Sequence, residues 1–302
     1  MPSSPVPMSP PPTASRPSHR WRRVAMVAAW VAGLTGGVGL VGPAQAAITV
    51  FEAAAATAAG LTPSRDSFRL AVGGGSLAAA NGDFGGVRRE INWDGVPDAR
   101  ADPNPLPANF FNVNSPRGVV FSSPTPGAGF AVSANAGQAI APLFGFPGDL
   151  QAFSSQRLFA TLSSRVTDIN FFVPGTTTAA STRAFAAVFV DVENNDATDF
   201  TLMEFFNPSN VLIFSRSVLV AGNLGLSLLG GVATAGEQIA RVRITTPDNF
   251  LISNGLRANE SHDFVVMDDF LYATPTAVPE SPAWAMVLLG LGALGWKARR
   301  RR

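Results

Sequence analysis

The chain has 302 residues, no cysteine and a formal net charge of +1 that conceals an uneven distribution. Nine of its 22 basic residues fall in the first 23 and last six positions, so positions 47–277 carry 13 Arg, no Lys and 20 Asp/Glu, a net of −7. An acidic body of this kind excludes nucleic-acid binding by phosphate neutralisation, and the missing cysteine excludes disulfides, thiolate metal sites and thiol catalysis.

The N-terminal segment has the three parts of an export signal. Arg16, His19, Arg20, Arg22 and Arg23 form a basic stretch, and Val24 to Val41 is apolar. Ala44-Gln45-Ala46 then supplies the small residues that a signal peptidase needs. Positions 1–46 are therefore expected to be removed, leaving Ala47 as the first mature residue. Arg22-Arg23 fits the twin-arginine route as well as the general secretory translocon.

The body, 47–277, opens with a short strand at Ile48 to Phe51. Thr62-Pro63 has the form of an N-cap followed by proline at the first helical position, and Gly73-Gly74-Gly75 ends the helix. Phe68 and Val72 then share a face. This is the one helix expected. Val87 to Trp93 and Gly118 to Phe121 read as strands, separated by a segment that Pro97, Pro103, Pro105 and Pro107 keep irregular. Gly127 to Asn135 follows, with Phe130 and Val132 turned inward. Beyond Arg157, strand signals recur between Gly/Pro/Asn turns. They include a dense apolar run at Phe185 to Val192, a hairpin of Thr201 to Phe206 with Val211 to Val220, and strands at Leu224 to Val232, Ile239 to Thr245 and Phe264 to Tyr272. Short strands, frequent turns and 22 Phe predict an all-β sandwich, jelly-roll-like, with a closed barrel as the alternative. Thr274 to Pro279 is expected to be a linker.

The tail, 278–302, reads Val278-Pro279-Glu280-Ser281-Pro282, then an uncharged run from Ala283 to Trp296, then Lys297 and Arg299 to Arg302. As a helix the run spans roughly 21 Å, less than a ~30 Å hydrocarbon core, but Trp284 and Trp296 suit the two interfaces and the cations favour the cytoplasmic side. With Val278-Pro279-Glu280, Trp284 and Arg299, Arg300, Arg301 and Arg302 in order, the tail resembles the PEP-CTERM sorting segment of exported bacterial proteins. Ser281 departs from the common Pro-Glu-Pro form. The resemblance implies a transmembrane sorting helix, transient inner-membrane anchoring, processing by an exosortase-type membrane protease, and a final place at the cell surface or outside it.

A second resemblance concerns the body. Arg88 to Asp98, Ile239 to Ile244 and Val265 to Phe270 look like segments of uncharacterised exported proteins, and the latter two are similar to lectin-like, carbohydrate-binding jelly rolls. In those, an Arg-Val-x-Ile strand pairs with a terminal strand ending in Asp-Asp-Phe or Asp-Asn-Phe, sometimes beside a structural calcium.

Two constellations are candidate sites. Asp191, Glu193, Asp196 and Asp199 crowd the exit of an apolar strand, where carboxylates two apart can converge on calcium; the alternative is a solvated acidic turn. Asp268 could join them, and alternation along the strand would let only one of Asp268 and Asp269 do so. Trp93 with Asp94 could form a sugar platform, or Trp93 could close the sandwich core. Arg88-Arg89 beside Glu90 is expected to make surface pairs. No Gly-x-Ser-x-Gly elbow, His-Glu-x-x-His, P-loop or dinucleotide fingerprint occurs. The sequence thus points to a non-enzymatic exported protein that binds extracellular polysaccharide, with a secreted glycan-acting hydrolase using an Asp/Glu pair as the alternative.

Overall fold

A computed structural model of the chain describes residues 47–74, 83–84, 87–134, 144, 149–252 and 257–278. The expected signal peptide with Ala44 and Ala46, and the tail with Pro279, Glu280, Trp284 and Arg299 to Arg302, lie outside the described residues. In chain order the elements are β1 (Ile48–Ala55), α1 (Ala58–Val72), β2 (Asp83–Phe84), β3 (Arg88–Ile91), α2 (Phe110–Val113), β4 (Val119–Ser122), β5 (Gly129–Val132), β6 (Phe159–Leu162) and β7 (Val166–Phe171). They continue with β8 (Ala180–Ser181), β9 (Ala184–Val190), β10 (Leu202–Phe206), β11 (Leu212–Ser217), β12 (Leu226–Ala233), β13 (Arg241–Thr245), β14 (Val266–Ala273) and β15 (Thr276–Ala277).

Two antiparallel sheets face each other. One runs β1-β12-β9-β14-β3-β2, with β6 also on β14 and β5 on β6; the other runs β11-β10-β13-β7-β4. Both paths end in edge strands, so the architecture is a sandwich and not a closed barrel. The core between the sheets is aromatic. Phe185, Phe189, Phe270 and Tyr272 of the first sheet meet Phe121, Phe171 and Phe205 of the second. Every residue of β9 is buried, because its even-numbered side chains are covered as well as its odd ones. Ala184 and Ala186 pack with Phe68 and Val72 of α1, while Val188 and Val190 pack with Leu61 and Leu158. That two-sided burial is why the segment is a continuous apolar run instead of an alternating one.

Several expectations need correction. The helix begins four residues before Thr62, with Thr57 at its N-cap and Pro63 inside it. Leu61, fully buried, draws the extra turn inward, and Thr62 Oγ1 donates to Ala58 O instead of capping. Gly73 ends the helix in the left-handed region at φ 84°, as read. The proline-rich segment is not wholly irregular: it holds a 3-10 turn at Asp98–Arg100 and runs into α2. The linker is partly a strand, since β15 pairs with β8. β13, which carries Arg-Val-Arg-Ile, does not pair with the terminal strand β14; it lies in the opposite sheet between β10 and β7. Arg88 is not on the surface: it is fully buried, and with Arg69 it clamps Glu90 at 2.8 and 2.6 Å. Among the described residues no helix is long and apolar enough to cross a membrane.

Candidate functional site

The acidic run after β9 divides into two roles. Antiparallel pairing sets Val190 opposite Val266, so the exit of β9 and the entry to β14 share one edge of the sandwich. Asp191 turns the corner at φ 70° and its Oδ1 accepts from Leu224 N at 2.5 Å. Glu193 follows, exposed, and its backbone N donates to Asp263 Oδ2 at 2.6 Å. Asp191, Glu193 and Asp263 line a cavity of about 320 Å³ together with Asn249, His262 and Arg257. Asp196 and Asp199 serve the turn. Asp196 Oδ1 accepts from the backbone N of Thr198 and of Asp199, both at 2.8 Å, and Asp199 Oδ2 accepts from Asn194 and from Asp263 N.

Charge in the cavity is unbalanced. Arg257 is engaged by Asp149 at 3.1 Å and stacks on Phe264, and His262 Nδ1 is within 2.6 Å of Asp248 Oδ1. Asp191, Glu193 and Asp263 have no cation within ion-pair distance among the described residues. Burial, reinforced by the carboxylates of Asp191, Asp199 and Glu193, pushes Asp263 up to about 7. Burial also raises Asp191, against the bond from Leu224.

Asp268 stands elsewhere, so the five candidate calcium ligands do not come together. Its Oδ2 accepts from Phe153 N at 2.6 Å, and Ser154 Oγ reaches both Asp268 Oδ1 at 3.0 Å and Asp269 Oδ1 at 2.7 Å. Strict alternation forbids such convergence of neighbours. A β-bulge permits it: Met267 pairs with Phe189 but Phe270 with Ala187, which inserts one extra residue. Among the described residues no three Asp, Glu or His groups stand at metal-binding separation.

Trp93 is fully buried. Its ring lies 4.3 Å from that of Phe159, nearly parallel, and Nε1 donates to Asp268 O at 2.8 Å. A sugar platform needs an open ring face, so Trp93 is a core residue and not a glycan contact. Asp94, half-buried, accepts from Asn92 at 3.1 Å and is raised by burial.

A surface that sequence reasoning missed is the outer face of the five-stranded sheet. Glu204, Phe206, Arg241, Arg243 and Asn170 alternate with the core residues and point away from them. Arg243 holds Asp168 through two bonds, at 2.8 and 2.7 Å, and Arg241 adds a third at 2.8 Å. Arg241 also lies 3.8 Å from the Phe206 ring centre, a cation–π contact. The spacing Arg241-x-Arg243 on an alternating strand was the available signal. A larger cavity of about 490 Å³, lined by Arg183, Glu237, Gln238 and Thr276, lies near the end of the body and has no comparable cluster of carboxylates.

No protein-family model and no curated protein matches the chain. Among solved structures, it is similar in part to the Clostridium thermocellum N-terminal endo-1,4-β-D-xylanase 10B, CBM22-1–GH10 modules, complexed with xylohexaose. Identity is 10%, the TM-score is 0.26, and the match covers 57% of this chain and 28% of that one. The chain thus spans under a third of that structure's length, and so slight a likeness leaves the reading to its own geometry.

Proposed function

We propose that the chain is an exported surface or matrix protein, sorted by a PEP-CTERM tail, whose jelly-roll body binds extracellular polysaccharide without catalysing its breakdown. The observation that carries the export reading is the sequence at the two ends: a basic, then apolar, then small-residue segment over 16–46, and Pro279-Glu280, an uncharged run and an Arg block over 279–302. The first strand, β1, begins at Ile48, one residue after the expected cleavage. Ala47 N donates to Glu237 Oε1 at 2.8 Å, and cleavage before Ala47 would turn this bond into an ammonium–carboxylate pair.

The strand order supports the jelly-roll reading. From β6 onward, leaving out the short β8, the chain passes between sheets in the sequence β6, then β7, then β9, then the hairpin β10–β11, then β12, β13 and β14. The resulting sets, β6-β14-β9-β12 and β7-β13-β10-β11, have the wiring of two interlocked Greek keys.

For the ligand, the outer face of the five-stranded sheet offers guanidinium donors beside carboxylate and amide acceptors, the mixture that sugar hydroxyls satisfy. A glycan array probed with the purified chain should give signals that fall at least tenfold with Arg241→Ala or Arg243→Ala. An array without signal, or signals indifferent to Arg241→Ala, Arg243→Ala and Glu204→Ala, would count against this face.

The hydrolase reading draws on one observation. Asp263, pushed up to about 7, shares a cavity with Asp191 and Glu193, so an acid and a base could face one substrate. New reducing ends that disappear with Asp263→Asn would favour the enzyme; glycans recovered intact favour the binder.

A further inference from the structure

β11 ends the five-stranded sheet, and its outer edge is bare. Among the described residues, no backbone group of Leu212–Ser217 bonds to anything beyond β10. The strand at the other end of that sheet, β4, is covered, with Phe121 N donating to Ala108 O at 2.9 Å. Val218 N donates to Thr201 O at 2.8 Å, which fixes the alternation along β11. Phe214 and Arg216 turn their N–H and C=O groups toward β10, and Ser215 and Ser217 turn theirs outward. Proteins commonly blunt such an edge with proline, lysine or a covering segment, and β11 has none of these. Its bulge lies opposite Phe205 and Phe206 and leaves 214–217 regular. Apolar side chains gather on the same edge: Val211 and Leu212 at one end of β11, and Leu219 and Val220 just past the other, are 39–55% exposed. Charge is sparse there. Between Glu204 and Glu237 the only charged residue is Arg216, and Glu52 holds it through two bonds, at 2.6 and 2.5 Å.

We infer that a second copy of this chain pairs with β11 edge to edge, antiparallel about a two-fold axis, joining the two five-stranded sheets into one. Charge favours a copy. The body carries −7, which sets two copies against each other, and this edge offers a surface where they can approach without that repulsion. Register favours it too, because two identical strands can be complementary to each other. With the axis at Ser215, the two Ser215 residues exchange their backbone bonds. Arg216 of each copy then stands opposite Phe214 of the other, an attractive pairing. With the axis one residue along, at Arg216, two guanidiniums would meet. The strand therefore specifies its own register. A polysaccharide has no peptide groups with which to complete the ladder.

The pairing has a consequence for the outer face of the sheet. Leu212 pairs with Phe206 and Ser215 with Glu204, and these in turn pair with Arg241 and Arg243. All six share that face, so the paired sheet joins it to the same face of the copy.

The test is sedimentation velocity of the full chain in density-matched mild detergent, together with a cysteine placed at the axis. A monomer–dimer equilibrium that moves toward dimer with concentration is expected, as one strand pair with a few apolar side chains implies. The chain has no cysteine of its own, so oxidised Ser215→Cys should run mostly as a disulfide-linked dimer. The paired Cα atoms would stand about 5.5 Å apart, within disulfide reach. Ser67→Cys, exposed on α1, should stay unlinked. Ser215→Pro removes an N–H that β10 does not use and should leave only monomer. If Ser215→Pro fails to fold, the linking of Ser215→Cys decides. A monomer at every concentration up to about 0.1 mM would overturn the proposal. So would a dimer that survives Ser215→Pro, as one held by the apolar tail would, or Ser67→Cys linking as readily as Ser215→Cys. No glycan is present, so the result is independent of the polysaccharide reading.

Discussion

Asp268 and Asp269 are consecutive on β14, and both carboxylates reach the hydroxyl of Ser154. Burial drives both upward, Asp268 well above the ordinary carboxylate range and Asp269 to about 6, and their mutual proximity favours keeping one proton between them. A carboxyl with a raised folded value binds protons more tightly in the folded than in the unfolded chain. Its contribution is therefore present at low pH and is lost as pH climbs from the unfolded value, about 4, through the folded one. The chemical-denaturation midpoint should be higher at pH 5 than at pH 8, by about 2 kcal/mol or more of stability. Asp268→Asn keeps the shape and removes a proton site, so it should reduce that dependence, leaving the part due to Asp263, which is pushed up to about 7 and acts in the same direction. The lowered carboxyls, Asp196, Glu237 and Asp248, lose their contribution only at more acidic pH and do not interfere in this window. A wild-type midpoint rising steadily from pH 5 to 8 would contradict the assignment. The bulge behind this pair was latent in the sequence: Val265 and Met267 face inward at odd positions, Phe270 and Tyr272 at even ones, so the parity changes across Asp268-Asp269. The core role of Trp93 was also legible, because it is a lone Trp in an aromatic-rich body. The cavity that joins Asn249 to Asp263 was not, because only the fold brings position 249 beside 263.

At the scale of elements, β9 and β12 depend on close approach. A methyl on Gly230 would meet Ala186 Cα at 3.0 Å and Phe185 O at 3.1 Å, backbone-level contacts that cannot rotate away. One on Gly129 would meet only Leu162, at 3.6 Å, an ordinary contact. Gly230→Ala should thus cost about 1–3 kcal/mol or more by overpacking, and Gly129→Ala should stay within about 0.5 kcal/mol. Equal midpoints for the two variants in urea would overturn this account of the sheet. Alternation and turn residues made most strands readable to within a few residues, including the β10–β11 hairpin around Asn207 to Asn210. Sheet membership was not readable. The Arg-Val-Arg-Ile strand and the terminal strand look equally apolar on their inward faces, and nothing local says that they face each other across the core instead of pairing. The helix start was misjudged because proline usually marks a first turn, whereas here burial of Leu61 outweighs the hydrogen bond lost at Pro63.

For the whole molecule, composition and alternation anticipated an acidic, cysteine-free β sandwich, and the described residues fold around an aromatic core. Under the proposed export reading, the basic residues that bring the net charge to +1 lie where membranes and processing enzymes would read them, leaving the body at −7. Intact-mass spectrometry of the protein recovered from the cell surface tests this most directly. The account predicts a chain beginning at Ala47 and ending near Val278-Pro279-Glu280, without the Arg299 to Arg302 block. A surface protein that still begins at Met1 or still ends at Arg302 would contradict it.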